Sequence, residues 1–458
     1  MADWRQRLED TTDEREDELT EFLSIPSIST EAAHRKDCRK AAEWLEQHLI
    51  EIGFDTGLHE VDGGHPLLDA ELVVDEGAPT VTIYGHYDVQ PPGDEAAWET
   101  PAFQPTILDD PDKGRVVRAR GATDNKGQLM ANLNAVKAHA DAGTLPVNVR
   151  FLIEGEEEIG GDSLPTYIQR HEDDLDCEAV LVSDTHLWDA DHPAIVHGLR
   201  GIVTLEATVE GPDRDLHSGQ FGGAVLNPAE ALVRALATLK DENLRVAVDG
   251  FYDDVLEVDD AQRKYMEQVP FDDEGFRQET GAPALDGERD RGPLERMWAR
   301  PSLEINGLSA GYAGDGFKTI LPASATLKLS CRIVADQDPD RIGQLLADHL
   351  REQVPDTVDV TIDVLQASDP WYLDPRNDVL EAAADSLASA FGGETVFIRN
   401  GASIPVVPDL DRLAPVALMG YGMRDERLHA PNEFFRLESF HAGSKAMGRM
   451  LERLGEDG

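Results

Sequence analysis

A chain that buries Val147–Ile153 must build a sheet with a charged edge. Val147, Val149, Phe151 and Ile153 are apolar and β-branched or aromatic, the composition of a buried strand. The run leads directly into four glutamates within five residues, Glu154 and Glu156 to Glu158, and then into Gly160 and Gly161. Other β-rich runs end in the same manner. Thr80–His86 closes on Gly-His and continues to Asp88, and Ala179–Asp184 closes on Ser-Asp. Between them, Asn125–Gly143 places Met130, Leu133 and Val136 at helical spacing, and Cys38–Phe54 does the same with Ala41, Trp44, Leu45, Leu49 and Ile52. Strands alternating with helices predict an α/β fold on a largely parallel sheet. Its polar residues collect at the carboxyl edge, where such sheets bind ligands.

The pattern changes after "VHGLRG". "IVTLEATVEG", "SATLKLSCRIVAD" and "TVDVTIDVLQ" alternate as half-exposed strands, "NPAEALVRALATL" reads as an amphipathic helix, and Asp272–Gly292 reads as polar and irregular. At 458 residues the chain exceeds what one core usually holds. The expected organisation is a larger domain from 1–198 and 371–458, completed by the helix in "RNDVLEAAADSLASAFGG", with a smaller α+β domain inserted at 199–370.

Asp and Glu number 90 against 41 Lys and Arg, a net charge of -49, and only ten of the basic residues are lysine. At molar salt the Debye length falls to about 3 Å and such self-repulsion is screened. The composition therefore reads as adaptation to a salt-loaded cytosol, as in a halophilic archaeon, and it excludes nucleic acid as a partner for want of a basic patch. Cys38, Cys177 and Cys331 lie far apart without C-x-x-C spacing, which fits a reducing, cytoplasmic setting and offers no thiolate metal site. The charged N-terminus lacks the apolar segment of a signal peptide, and no run of 18 apolar residues predicts a membrane span.

Five segments carry candidate ligands: "YGHYDVQPPG" with His86 and Asp88, "GATDNKGQ" with Asp124, "EGEEEIGG" with Glu156, Glu157 and Glu158, "LVSDT" with Asp184, and "RLHAPNE" with His429. Two imidazoles, several carboxylates and no thiolate suit zinc, manganese or cobalt better than calcium or magnesium. Side chains two apart on an extended segment share a face, so Asp88 can orient the ring of His86. Adjacent residues point oppositely, so of two neighbouring glutamates one can bind metal while the other faces a water. Three glutamates compete for those two roles. A pair of divalent cations would explain the self-repelling carboxylates, and such a pair activates water against a carbonyl.

"GHYDVQPPGDEAAWETPAFQPTI", "DLHSGQFGGAVLNP" and "HAPNE", spread over about four fifths of the chain, resemble the M20 family of co-catalytic metallopeptidases, in its dipeptidase branch. The resemblance implies a zinc-exopeptidase-like catalytic domain with an inserted domain serving as lid and dimerisation module. It implies that His86 and Asp184 bind one metal ion, Glu158 and His429 the other, and that Asp124 bridges both, ahead of a cis peptide bond to Asn125. The family pattern Glu-Glu-x-Gly, anchored on Gly160, selects Glu157 as general base and Glu158 as ligand, and returns Glu154 and Glu156 to the acidic background. His217 of "LHSG" would stabilise the oxyanion from the partner subunit of a homodimer, while Thr319, Arg332 and Ser403 would hold a peptide substrate, Arg332 by its carboxylate. The implied activity is hydrolysis of dipeptides or short peptides beside a free C-terminal carboxylate, with zinc or manganese, or cobalt, as the two ions. The same centre would serve an N-acyl-amino-acid deacylase or desuccinylase. A non-catalytic, metal-stabilised dimer would have lost a ligand or the base, and none is missing.

Overall fold

The computed structural model describes residues 3–61 and 63–456. The chain divides into two compact units, one of Met1–His197, Leu373–Ile398 and Val406–Gly458, the other of Gly198–Tyr372 and Arg399–Pro405. The short piece Arg399–Pro405, which contains Ser403, thus belongs with the smaller unit, whereas the sequence pattern places all of 371–458 in the larger one.

The first unit is built on a mixed sheet. Across it lie Asp55–His59, Leu67–Leu72, Asn148–Glu154, Thr80–His86, Ala179–Val182, Val416–Leu418 and Ala194–Leu199. The four strands from Asn148–Glu154 to Val416–Leu418 are mutually parallel, while the flanking pairs are antiparallel. Parallel strands need cover on both faces, and Asn148–Glu154 is buried at every position. Each large apolar side chain it removes from water contributes roughly 1.5–3 kcal/mol. Helix Lys126–Ala142 is buried on nearly all sides, and it packs against the terminal helix Leu437–Glu456, which also meets Asp378–Phe391. Helix Arg35–Ile52 stops at Gly53, whose φ of 112° a side chain would resist.

A small antiparallel sheet matters more for chemistry. Phe434–Arg436 pairs with Gly114–Arg118, which pairs with Thr106–Asp110. This ladder ties the end of "HAPNE" to the segment leading into Asp124, more than 300 residues away in the chain.

The second unit holds a four-stranded antiparallel sheet ordered Ser302–Ala310, Ser324–Ile333, Gly201–Glu210, Asp359–Ser368. Strict alternation in Ser324–Ile333 sends Leu327, Leu329, Cys331 and Ile333 into a core shared with helices Pro228–Leu236 and Pro339–Gln353, and leaves Arg332 on the opposite face. Both helices start from a capping side chain, Asn227 or Asp338, followed by proline. The stretch read as irregular contains a helix, Asp273–Thr280, capped by Asp272. None of its residues is buried, so it carries no apolar stripe for periodicity to detect.

Candidate metal centre

In the first unit the sheet's carboxyl edge draws the candidate ligands together. His86 ends its strand and is fully buried. Its Nδ1 lies 3.1 Å from the backbone oxygen of Asp88 and 3.3 Å from the Asp88 carboxylate. Both neighbours are acceptors, so Nδ1 keeps a proton, and in the neutral ring Nε2 is the nitrogen that offers its lone pair outward. That Nε2 is buried, lacks a hydrogen-bond partner, and stands 3.2 Å from Asp124 Oδ1 and 3.7 Å from Asp184 Oδ2. Asp124 presents its other oxygen to His429 Nε2 at 2.8 Å, and His429 Nε2 lies 3.3 Å from Glu158 Oε2. Two three-residue clusters result, His86–Asp124–Asp184 and Asp124–Glu158–His429, with Asp124 common to both. The Asp124–Asn125 peptide is cis.

Neighbouring side chains hold these candidate ligands in place. Asn125 Nδ2 donates to Asp184 Oδ1 at 2.9 Å, Gln90 Nε2 donates to Glu158 Oε2 at 2.8 Å, and Asp88 accepts the Glu158 backbone N–H at 3.1 Å. Glu433 is completely buried, and its carboxylate accepts the N–H groups of Gly121, Thr123 and Asp124 together with Arg120 Nη1 at 2.6 Å. It therefore shapes the turn that presents Asp124. Sequence reasoning missed Glu433, Gln90 and Asn125. The first closes the "HAPNE" motif, but a carboxylate that folds a loop has the same sequence appearance as a solvated one. Arg427, His429 and Asn432 all have positive φ, a strained loop of the kind found at functional sites. His429 remains 55% exposed in its side chain, so the centre is open to solvent on that side.

The other three of the four glutamates in the opening motif separate by their partners. Glu156 accepts the His65 N–H at 2.8 Å and the Ser163 hydroxyl. Glu154 accepts the Tyr84 hydroxyl at 2.9 Å, and burial, aided by the Asp88 charge, pushes its carboxyl up to about 8. Both are buried structural acids rather than part of the solvated background the sequence reading assigned them to. Glu157 accepts no hydrogen bond at its carboxylate from the described residues. Burial pushes it up to about 9; His86 opposes this, and Asp184, Asp124 and Glu158 add to it. Gly155 packs where a Cβ would enter the Tyr87 ring, and Gly160, at φ 60°, ends the turn that aims Glu157 and Glu158.

The electrostatics call for cations. Among the described residues Asp88, Asp124, Glu157, Glu158 and Asp184 form no ion pair with lysine or arginine. Burial works against a charged His86, yet the carboxylates of Asp124, Asp184 and Asp88 around it hold it well above its usual value. Hydrogen bonding to Asp124 likewise lifts His429 to about 9. A pocket that binds protons this avidly, with an orphaned imidazole nitrogen at its centre, has the donor set of a divalent-metal site.

The profile of Peptidase family M20/M25/M40 matches residues 82–453. The chain belongs to this family. Among M20 relatives, the Cys-Gly metallodipeptidase of Saccharomyces cerevisiae is 30% identical over 96% of this chain and 95% of its own. The human beta-Ala-His dipeptidase is 29% identical over 93% and 87%. A solved M20 metallo-carboxypeptidase from Sulfolobus solfataricus superposes with a TM-score of 0.81 at 31% identity, covering 97% of this chain and 99% of that one.

The remaining candidates lie in the second unit. His217 is exposed, and its Nδ1 accepts the Gly219 N–H at 3.0 Å. Leu216 and His217 pair with Leu321 and Ile320, which sets Thr319 next to the His217 segment, where its carbonyl accepts the Ser218 N–H at 3.0 Å. Arg332 lines a cavity with Arg200, and Arg200 Nε donates to Gly401, two residues before Ser403, at 3.2 Å. No helix among the described residues is long and apolar enough to cross a membrane.

Proposed function

We propose that this M20 enzyme is a two-metal dipeptidase, cutting dipeptides or short peptides beside a free C-terminal carboxylate. The observation that carries the reading is the pair of clusters sharing Asp124, beside a Glu157 carboxylate with no other engagement. His86 and Asp184 would hold one ion and Glu158 and His429 the other, with Asp124 available to both, and zinc or manganese, or cobalt, would suit these nitrogen and oxygen donors. Bound there, the ions supply positive charge that acidifies water and draws electrons from the scissile carbonyl.

The protein's own groups do the rest. Glu157 takes the proton of the attacking water and returns it to the leaving amine, a task open to a carboxylate that no other described residue engages. Asp88 keeps His86 in the tautomer that presents Nε2. His217 of the partner subunit steadies the oxyanion in a homodimer formed through the smaller unit. Arg332 grips the substrate carboxylate with its planar fork, and Thr319 and Ser403 donate to the bound peptide. The named activities of the yeast and human relatives support the dipeptide reading, and the carboxypeptidase supports the need for a free C-terminus. The three free cysteines fit a cytosolic setting.

The test is hydrolysis of a panel of dipeptides, tripeptides and N-acyl amino acids in molar KCl, with Mn²⁺ or Zn²⁺ and a chelator control. Cleavage of dipeptides that disappears with chelator is the expected result. Release of acyl groups alone, or cleavage indifferent to chelator, would overturn the proposal.

A further inference from the structure

In a chain with 90 acidic residues against 41 basic ones, a cavity of unpaired cations demands an explanation. The smaller unit contains such a cavity, about 460 Å³ in volume, lined by Arg200, Lys240, Arg296 and Arg332. Among the described residues none of the four is ion-paired to a carboxylate. Arg300 in the same cavity, by contrast, is clasped by Glu288 through two bonds of 2.8 Å, and Asp286 is paired with Arg289 at 2.8 Å. That leaves Glu304, an exposed residue, as the one lining carboxylate outside those pairs.

Two of the cations are focused on one spot. Ser302 stands directly across the ladder from Arg332, so the two side chains share a face of the sheet. Arg200 Nη1 donates to the Ser302 hydroxyl at 3.2 Å, which brings its guanidinium to the same patch. Burial, and then the nearby charge of Arg332, depress Arg200 to about 10. Two guanidiniums held together with only the exposed Glu304 carboxylate to offset them make a preformed site for carboxylates, and their forks suit bidentate binding.

We infer that Arg200 adds a second carboxylate subsite beside Arg332, and that the preferred substrates are peptides whose C-terminal residue is aspartate or glutamate. The inference rests on the reading above in which Arg332 takes the terminal carboxylate. Arg200 then takes the side-chain carboxylate, and Lys240 and Arg296 add to the attraction of a doubly charged end.

The decisive comparison is Ala-Glu against Ala-Gln, nearly isosteric substrates that differ by one charge. With the metal-loaded enzyme, kcat/KM for Ala-Glu should exceed that for Ala-Gln by at least about tenfold, mainly through KM. Arg200→Gln should bring the ratio close to one, and Arg200→Lys should keep part of it, since charge remains without the fork. Arg332→Gln should depress both substrates. A wild-type ratio near one, or a ratio that survives in Arg200→Gln, would overturn the inference. Calorimetric titration with L-glutamate and L-glutamine reads the same site without turnover. Binding of glutamate over glutamine that depends on Arg200, in a protein that cleaves no dipeptide, would sink the dipeptidase reading and keep this site. Cleavage of dipeptides without preference for an acidic end would do the reverse.

Discussion

Glu156, Glu157 and Glu158 are chemically identical neighbours, and their surroundings alone separate them. Glu157→Gln removes the proposed proton carrier without touching a candidate ligand, so turnover should fall by about 10²–10⁴-fold. Metal content, measured by elemental analysis, should stay intact. Glu156→Gln weakens charged acceptors for the His65 N–H and the Ser163 hydroxyl. It should lower stability by about 1–3 kcal/mol in a denaturant melt while kcat is retained. The opposite pattern, a dead Glu156→Gln and an active Glu157→Gln, would shift the catalytic register by one. The Glu-Glu-x-Gly spacing already favoured Glu157, but only through a family resemblance. Spacing cannot tell a carboxylate that accepts two hydrogen bonds in the interior from one left uncommitted beside three other acids.

The elements that carry the candidate ligands are joined by a device the motifs do not announce. The ladder from Phe434–Arg436 to Gly114–Arg118 brings two loops together, and Glu433 then folds the Asp124 turn around its carboxylate. Glu433→Gln leaves Arg120 buried without its charge partner, a loss of about 3–5 kcal/mol. It should also weaken metal affinity by about 10–100-fold, as removal of an outer support does. A competition titration with a chromophoric chelator would read that loss, and unchanged affinity would deny Glu433 its positioning role. Most strands and helices were legible in advance because their periodicity reflects burial on one face or on both. Helix Asp273–Thr280 was not, because its stability comes from the Asp272 cap and local charge pairs rather than from an apolar face.

For the molecule taken whole, charge governs the response to conditions. A net charge of -49 is tolerable where the Debye length is about 3 Å, but at 0.1 M salt that length grows to about 10 Å. The melting temperature should therefore fall when molar KCl is replaced by dilute buffer, and a curve that is flat in salt would contradict the reading of the surface. Protons and metal ions should compete at the centre. In metal-stripped protein, burial and the Asp124 charge lift Glu158 to about 7, and the bond to Asp124 lifts His429 to about 9. Metal binding must displace those protons, so affinity should rise with pH through that window and level off above it. Calorimetry in two buffers of different ionisation enthalpy at pH 6.5 should record net proton release, and none would count against these residues as ligands. The sequence by itself determined that a parallel α/β core exists, that its strands end in imidazoles and carboxylates, and that a second unit with alternating strands interrupts it, because hydrophobic period and residue chemistry are local properties. Only the tertiary structure decided which glutamate is left uncommitted, that Asp124 is common to two ligand clusters, and that Arg200 shares a cavity with Arg332. Those outcomes depend on distances between segments hundreds of residues apart, on burial, and on the partners that burial supplies or withholds, none of which a linear pattern encodes.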